Sequence, residues 1–110
     1  MNRVSGYTYI VAEDESLIRK HLIKKIDSLK LPLTLVGEAA NGQDAIQLTE
    51  QHCPSLLITD IRMPQCDGLE LIHYLHQNHP GIKKIILSGF NDFSYAQTAI
   101  RYNVMDYLLK

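Results

Sequence analysis

The sequence predicts an α/β domain whose doubly wound parallel β-sheet is covered by helices on both faces. Short, nearly continuous apolar runs alternate along the 110 residues with segments of helical periodicity. Apolar runs that lack a polar alternation are typical of strands buried on both faces of a parallel sheet. Helices between such strands form right-handed crossover connections, and these connections build the doubly wound sheet.

Five strands follow from the apolar runs. YTYIVA and LTLVGEA give the first two, LLIT the third, KIILS the fourth and DYLLK the fifth. These runs are rich in the β-branched, aromatic and leucine residues that suit a buried sheet. The predicted strands are residues 7–12, 33–39, 56–59, 84–88 and 106–110.

Four helices fill the segments between the strands. In the first, apolar residues recur every three or four positions, as the buried face of a helix requires. These residues are Ile18, Leu22, Ile26 and Leu29. The predicted helices are residues 16–30, 42–51, 69–78 and 93–103.

Composition limits the classes of function. A chain of 110 residues with 45% hydrophobic content is sufficient for a single domain with one core. Its 11 Lys and Arg nearly balance its 12 Asp and Glu, so the chain has no basic surface for nucleic acid. No apolar run approaches the ~18 residues of a membrane span, and the N-terminus does not resemble a signal peptide. We expect a cytoplasmic protein that has no membrane contact.

An aspartate ends the third strand, in the run LLITD. Asp60 follows four apolar or β-branched residues that cannot solvate a carboxylate, and Pro64 and Gly68 mark the loop beyond it. In a doubly wound sheet, ligands bind beyond the carboxyl ends of the strands. Glu13 and Asp14 follow the first strand, so they are expected at the same edge as Asp60.

These acids predict a metal site. Converging carboxylates repel one another unless they share a cation, and oxygen ligands suit Mg²⁺, which also binds phosphate oxygens. A carboxylate beside Mg²⁺ can attack a phosphoryl group in line and form an aspartyl phosphate. Asp60 is the predicted nucleophile, and Asp14 with Glu13 would hold the metal.

Two further strands end in polar residues at the same edge. Ser88 ends the fourth strand and would donate a hydrogen bond to a phosphoryl oxygen, while Lys110 ends the fifth and would pair with the phosphoryl charge. Each residue alone has a structural explanation: the acids as a helix start, Asp60 and Ser88 as turn residues, Lys110 as a solvated strand end. The combination of all of them favours the functional interpretation.

Four motifs share the pattern of one known family. They are VAEDE with Glu13 and Asp14, LLITDIRMPQCDGLEL with Asp60, IILSGF with Ser88, and DYLLK with Tyr107 and Lys110. With these motifs the chain resembles, over residues 1–110, the receiver domain of bacterial two-component response regulators. The resemblance implies a flavodoxin-like strand order, 2-1-3-4-5, and phosphorylation of Asp60 by a sensor histidine kinase.

The resemblance also implies a set of metal ligands. Mg²⁺ would be held by Asp14, Asp60 and the backbone carbonyl of Arg62, with Glu13 acting through water.

A conformational switch and a control of lifetime follow from the same resemblance. Tyr107 matches the aromatic switch position, whose ring orientation is coupled to the hydroxyl of Ser88. Arg62 and Phe90 lie two positions after the phosphoacceptor and the switch hydroxyl, where family members flank the path of the hydrolytic water. Neither side chain orients a water as a small polar residue does, so we expect slow self-dephosphorylation.

The last 23 residues narrow the resemblance. SGFNDFSYAQTAIRYNVMDYLLK is similar to receivers that precede AraC-type helix-turn-helix domains, so DNA binding would belong to a C-terminal output domain. Family members continue past the lysine into a further helix, and we therefore expect a chain truncated before that helix. Apolar surface left uncovered would favour a homodimer or a strand-exchanged dimer.

Two other functions compete with the receiver hypothesis. Haloacid-dehalogenase-like phosphatases also use an aspartate at a strand end, but their second acid, two residues on, corresponds here to Arg62. A receiver-like interaction module that works without phosphorylation usually lacks a key residue, and all of them are present. The receiver domain, which is not an enzyme in its own right, is the better interpretation.

Overall fold

The computed structural model describes residues 6–61, 63, 68–88 and 106–109, without the side chains of residues 69, 88 and 106–109. The described strands are β1 (Tyr7–Ala12), β2 (Leu33–Ala39), β3 (Leu56–Asp60), β4 (Lys83–Ser88) and β5 (Asp106–Leu109). The helices in the described ranges are α1 (Ser16–Ser28), α2 (Gly42–His52) and α3 (Gly68–Asn78). The helix predicted at residues 93–103 lies outside these ranges.

All five strands form one parallel sheet in the order β2-β1-β3-β4-β5. The chain leaves β1 to form β2 on one side and then returns to form β3 on the other side of β1. The strand order therefore reverses between β1 and β3, which is where doubly wound sheets bind ligands. The predicted fold class and strand order are confirmed.

The two faces of the sheet bury separate groups of side chains. Ile10 and Leu57 pack with Leu71 and Leu75 of α3 on one face. Tyr9, Val11, Ile58 and Leu87 form the cluster on the opposite face, with Leu22, Ile23 and Ile26 of α1 packed against it. Because successive strand residues point to opposite faces, the run from Tyr9 to Ala12 has to be apolar throughout.

Helix α1 ends two residues before its predicted boundary. The apolar period continues to Leu29, but Lys30 adopts a left-handed conformation with φ 57° that no helix can continue. The N–H of Lys30 instead donates to the carbonyl of Asp27 at 3.2 Å. In the described ranges, no helix is long and apolar enough to cross a membrane.

Candidate metal-binding site

Three carboxylates meet at the carboxyl edge of the sheet. Ala12 of β1 pairs with Thr59 of β3, so the residues that follow them, Glu13 and Asp60, lie side by side at this edge. Asp14 is the next residue of the turn into α1. One oxygen from each of the three carboxylates lies within 4.8 Å of the others. The structure therefore brings together the three acids that the sequence predicted for the metal site.

The three acids differ in how far they are buried. Glu13 is fully buried and Asp60 is only 4% exposed, whereas Asp14 is exposed. Burying two carboxylates at this distance is costly unless a cation or hydrogen bonds compensate the charge. Two buried carboxylates beside one exposed carboxylate fit Mg²⁺, which binds a few carboxylates and keeps several of its waters. The residues present suit that ion.

Backbone contacts fix Asp60. Its Oδ1 accepts a hydrogen bond from the N–H of Ile61 at 2.7 Å, and its carbonyl accepts one from the Thr59 hydroxyl at 2.9 Å. The N–H of Gly68, at the start of α3, donates to the carbonyl of Ile61 at 2.6 Å. The start of α3 thus lies directly against the backbone that carries the carboxylate.

Gly68 allows this close approach because it has no Cβ. A Cβ added at this position would lie 2.0 Å from the carbonyl oxygen of Asp60 and 2.8 Å from the Cα of Ile61. Neither atom belongs to a side chain that can rotate away, so another residue here would displace the end of β3.

The turn from β1 to α1 holds Glu13 from several directions. Its N–H donates to the carbonyl of Ala39 at 2.9 Å, and its Oε2 accepts a hydrogen bond from the N–H of Glu15 at 3.2 Å. Its carbonyl oxygen accepts a hydrogen bond from Nη1 of Arg19 at 2.6 Å. Helix α1 begins at Ser16 with no acid in its first turn. Glu13 and Asp14 therefore precede the first turn of the helix.

Other predicted site residues are described only in part. Ser88 is the last residue of β4, and Tyr107 lies in β5, where it pairs with Ile86. Their backbones are described, but their side chains are not. Arg62, Phe90 and Lys110 lie outside the described residues. The roles assigned to these five residues stay predictions.

Arg19 is a site residue that the sequence analysis missed. Besides its contact with Glu13, its Nε donates to Oε1 of Glu38 on β2 at 3.0 Å. Glu38 lies 19 positions further along the chain. The contact depends on the pairing of β1 with β2, and no local sequence pattern predicts it.

A parallel α/β sheet with acids at its topological switch point defines a class of domain that binds ligands at the carboxyl edge. Within that class, the model of the response regulator receiver domain matches residues 9–110. The chain belongs to this family. Receiver domains are signalling domains of two-component systems, and they interact with histidine kinases.

Curated relatives agree with this family. The chain is 39% identical over 104 residues to the transcriptional regulatory protein YesN of Bacillus subtilis, covering 94% of this chain and 28% of YesN. It is 36% identical over 104 residues to the transcriptional regulatory protein HptR of Staphylococcus aureus, covering 94% of this chain and 40% of HptR. The chain thus spans less than half the length of these relatives.

Solved structures of response regulators share the fold. The receiver domain of the response regulator AraT from Geobacillus stearothermophilus superposes with a TM-score of 0.90 at 38% identity, covering 96% of this chain and 82% of that one. A DNA-binding response regulator of the LuxR family from Staphylococcus aureus superposes with a TM-score of 0.86 at 32% identity, covering 94% of this chain and 85% of that one.

Proposed function

We propose that this domain accepts a phosphoryl group on Asp60 from a sensor histidine kinase, with Mg²⁺ held at the site of the three carboxylates, and that it thereby regulates transcription. The observation that carries this proposal is the convergence of Glu13, Asp14 and Asp60 within 4.8 Å where the strand order reverses. Like charges at that distance repel by roughly a few kcal/mol at a protein surface. Such an arrangement is understandable if a cation is part of the working site.

The proposed reaction moves the phosphoryl group from a nitrogen to an oxygen. A carboxylate oxygen of Asp60 attacks the phosphorus while the bond to the kinase histidine breaks, and the bonding electron pair stays on the imidazole nitrogen. Bound Mg²⁺ would neutralise charge on the phosphoryl oxygens and on the acids. The protein contributes a nucleophile that is fixed in position, because Oδ1 of Asp60 accepts a hydrogen bond from the N–H of Ile61. The Mg²⁺ ligands would be Asp14, Asp60 and the Arg62 carbonyl, with Glu13 acting through water.

Ser88, Lys110 and Tyr107 would respond to the new phosphoryl charge. Asp60 pairs with Leu87 across β3 and β4, so Ser88 lies one position beyond the phosphoacceptor on the neighbouring strand. Ser88 in turn pairs with Leu109, the residue before Lys110. This backbone register supports a hydroxyl and an ammonium near the phosphoryl oxygens. In this proposal Tyr107 couples the movement of Ser88 to the surface of β4 and β5.

The output we propose is transcription regulation in the cytoplasm. The curated relatives YesN and HptR are named as transcriptional regulatory proteins, and both are longer than this chain. DNA contact would belong to an output domain, which the sequence predicts to be of the AraC type. A homodimer, including one formed by strand exchange, is the proposed assembly.

Phosphorylation can be tested directly. We would incubate the protein with acetyl phosphate, with and without Mg²⁺, and measure its intact mass. The wild type should gain the mass of one phosphoryl group only when Mg²⁺ is present, and Asp60→Ala should gain none. Asp27→Ala, which removes an exposed acid at the far end of α1, is the matched control and should react like the wild type.

Two outcomes would contradict the proposal. A wild type that is never labelled would favour a receiver-like module that works without phosphorylation. Labelling of Asp60→Ala to the level of the wild type would place the phosphoacceptor elsewhere.

The phosphorylated state should be long-lived. Arg62 and Phe90 would flank the approach of the hydrolytic water, and neither places a carboxylate or amide there to orient it. We expect the double variant Arg62→Asn with Phe90→Glu to lose its phosphoryl group faster than the wild type after the donor is removed. Equal rates of loss, followed by intact mass, would show that these two residues do not set the lifetime.

A further inference from the structure

Arg19 of α1 connects the acidic turn to the neighbouring strand. Its guanidinium donates through Nη1 to the carbonyl oxygen of Glu13 at 2.6 Å and through Nε to Oε1 of Glu38 at 3.0 Å. The Arg19 side chain is 16% exposed, so it lies mostly inside the protein. One side chain therefore joins helix α1, strand β2 and the end of β1.

The contact with Glu13 acts on the metal site through the backbone. The Glu13 carbonyl belongs to the peptide group that links Glu13 to Asp14, so its direction sets where the Asp14 side chain begins. The N–H of Glu13 is held separately, by the carbonyl of Ala39. With both of its backbone groups bonded, Glu13 is fixed in position and Asp14 is directed towards Asp60.

An arginine suits this position better than a lysine. The planar guanidinium donates in two fixed directions at once, and its geometry is set in advance, whereas an ammonium is a point charge on a flexible stem. Nε of Arg19 donates to Glu38, and this contact fixes the direction in which Nη1 donates to the Glu13 carbonyl.

The charge of Arg19 and its contact with the Glu13 carbonyl predict opposite effects on Mg²⁺ binding when Arg19 is replaced. A positive side chain close to a metal site repels Mg²⁺, so removing it should tighten binding if Arg19 acted only through its charge. If Arg19 acts by orienting the Glu13 carbonyl, removing it should weaken binding. The sign of the change therefore separates the two explanations.

We propose that Arg19 is a positioning residue for Mg²⁺, which holds the turn from β1 to α1 so that Glu13 and Asp14 meet Asp60. This inference rests on the proposed function, because it concerns the same metal site. Outer-shell partners of metal ligands change the metal affinity by roughly 10- to 100-fold when they are mutated. Arg19 is expected to fall at the lower end of that range, because it contacts a backbone carbonyl and not a ligand atom.

The test is a calorimetric titration of the full chain with Mg²⁺. Arg19→Gln should bind Mg²⁺ about 10-fold more weakly than the wild type. Arg19→Lys keeps the charge but loses the two-directional contact, so it should bind more weakly than the wild type as well. Glu38→Gln keeps an acceptor for Nε but removes its charge, so its effect should be smaller than that of Arg19→Gln.

Lys20→Gln is the matched control. Lys20 is the exposed neighbour of Arg19 on α1, and its replacement removes the same charge. It should leave Mg²⁺ affinity unchanged or slightly tighter. Denaturant unfolding without Mg²⁺ should show which variants are folded, and Arg19→Lys carries the test if Arg19→Gln is not folded.

Different results would rule out the role of Arg19 and the metal site itself. If the wild type binds Mg²⁺ but the Arg19 variants bind it equally well or more tightly, Arg19 has no positioning role and the metal site stands. The same holds if the Arg19 variants lose no more affinity than Lys20→Gln. A wild type that binds no Mg²⁺ would overturn both proposals.

Discussion

At the amino edge of the sheet, hydrogen bonds join the polar groups of the strand ends, whereas at the carboxyl edge β1 and β3 bring three carboxylates to one point. Ser55 accepts from the N–H of Thr8 through its hydroxyl, at 3.2 Å, and from the N–H of Lys83 through its carbonyl, at 3.0 Å. Its own N–H donates to the carbonyl of Thr8 at 2.9 Å. These donors and acceptors of Thr8, Ser55 and Lys83 are paired with one another.

At the carboxyl edge, the acids add charge of a single sign. Glu13 and Asp60 are buried beside each other, and Asp14 adds a third carboxylate within 4.8 Å. Complementary pairs stabilise a fold by themselves, whereas like charges buried together are costly unless hydrogen bonds or opposite charges compensate them, and a bound cation would add to that compensation. The amino edge thus pairs donors with acceptors, whereas the carboxyl edge brings three acids together.

The largest effect is expected from a pair of glycine variants, one at each edge. Gly68→Ala should lower the free energy of unfolding by about 3 kcal/mol and impair labelling of Asp60, because its Cβ would collide with the Asp60 carbonyl. Among the residues that the structure describes, no atom lies within 4 Å of a Cβ added at Gly81, in the turn before β4. Gly81→Ala should change stability by no more than about 0.5 kcal/mol.

Urea unfolding of the two glycine variants, together with the acetyl phosphate assay, measures both effects. Equal losses of stability in Gly68→Ala and Gly81→Ala would show that the contact between α3 and the end of β3 is not tight.

A buried lysine near the start of β4 gives the second prediction. Lys84 is 1% exposed, and its Nζ donates to the carbonyl of Ile82 at 3.2 Å. Burial lowers the pKa of Lys84 below its ordinary value, with a smaller contribution from the charge of Lys83. Lys84→Met, of similar volume, should raise the free energy of unfolding at pH 7 by about 2 kcal/mol.

The pH dependence follows from the direction of this shift. Between the lowered pKa of the folded protein and the ordinary value of 10.5, the unfolded chain binds more protons at Lys84 than the folded chain does. The cost of burying Lys84 therefore decreases as pH rises through that interval, and the advantage of Lys84→Met should shrink with it. An advantage that stays constant up to pH 10.5 would show that folding does not lower the pKa of Lys84.

A smaller effect than that of Gly68→Ala or Lys84→Met is expected from Ser55, at the amino edge. Ser55→Ala removes the hydroxyl that accepts from Thr8, and the loss of one such hydrogen bond should cost about 1 kcal/mol. Mg²⁺ affinity and labelling of Asp60 should not change, because the site lies at the opposite edge. A marked loss of Mg²⁺ affinity in Ser55→Ala would remove the distinction between the two edges.

The sequence predicted the sheet well because buried parallel strands leave a strong pattern. The run from Tyr9 to Ala12 is apolar at every position, since both faces of β1 are covered. The predicted acids come together for the same reason: Glu13 and Asp60 each follow such a run, and parallel strands end at a common edge. The order of residue types along the chain was sufficient to predict both the sheet and the convergence of Glu13 and Asp60.

Contacts between elements that are distant along the chain were not predictable in this way. The pairing of Arg19 with Glu38 depends on the register of two strands, and the approach of Gly68 to Asp60 depends on where α3 starts. Lys84 was predicted to begin a strand, but its burial follows from which face of β4 it occupies. Each of these features is a property of packing, and a pattern of residue types does not record it.

The central claim, that the three carboxylates form one cation site, is tested most directly by calorimetric titration of Mg²⁺ into the wild type, Asp14→Ala and Glu15→Ala. Asp14 contributes an oxygen to the cluster, while the adjacent acid Glu15 is not part of it. Asp14→Ala should weaken Mg²⁺ binding by more than about 10-fold, since even outer-shell partners change affinity by roughly that factor. Glu15→Ala should bind nearly as the wild type does. Equal affinity of Asp14→Ala and the wild type for Mg²⁺ would contradict the account.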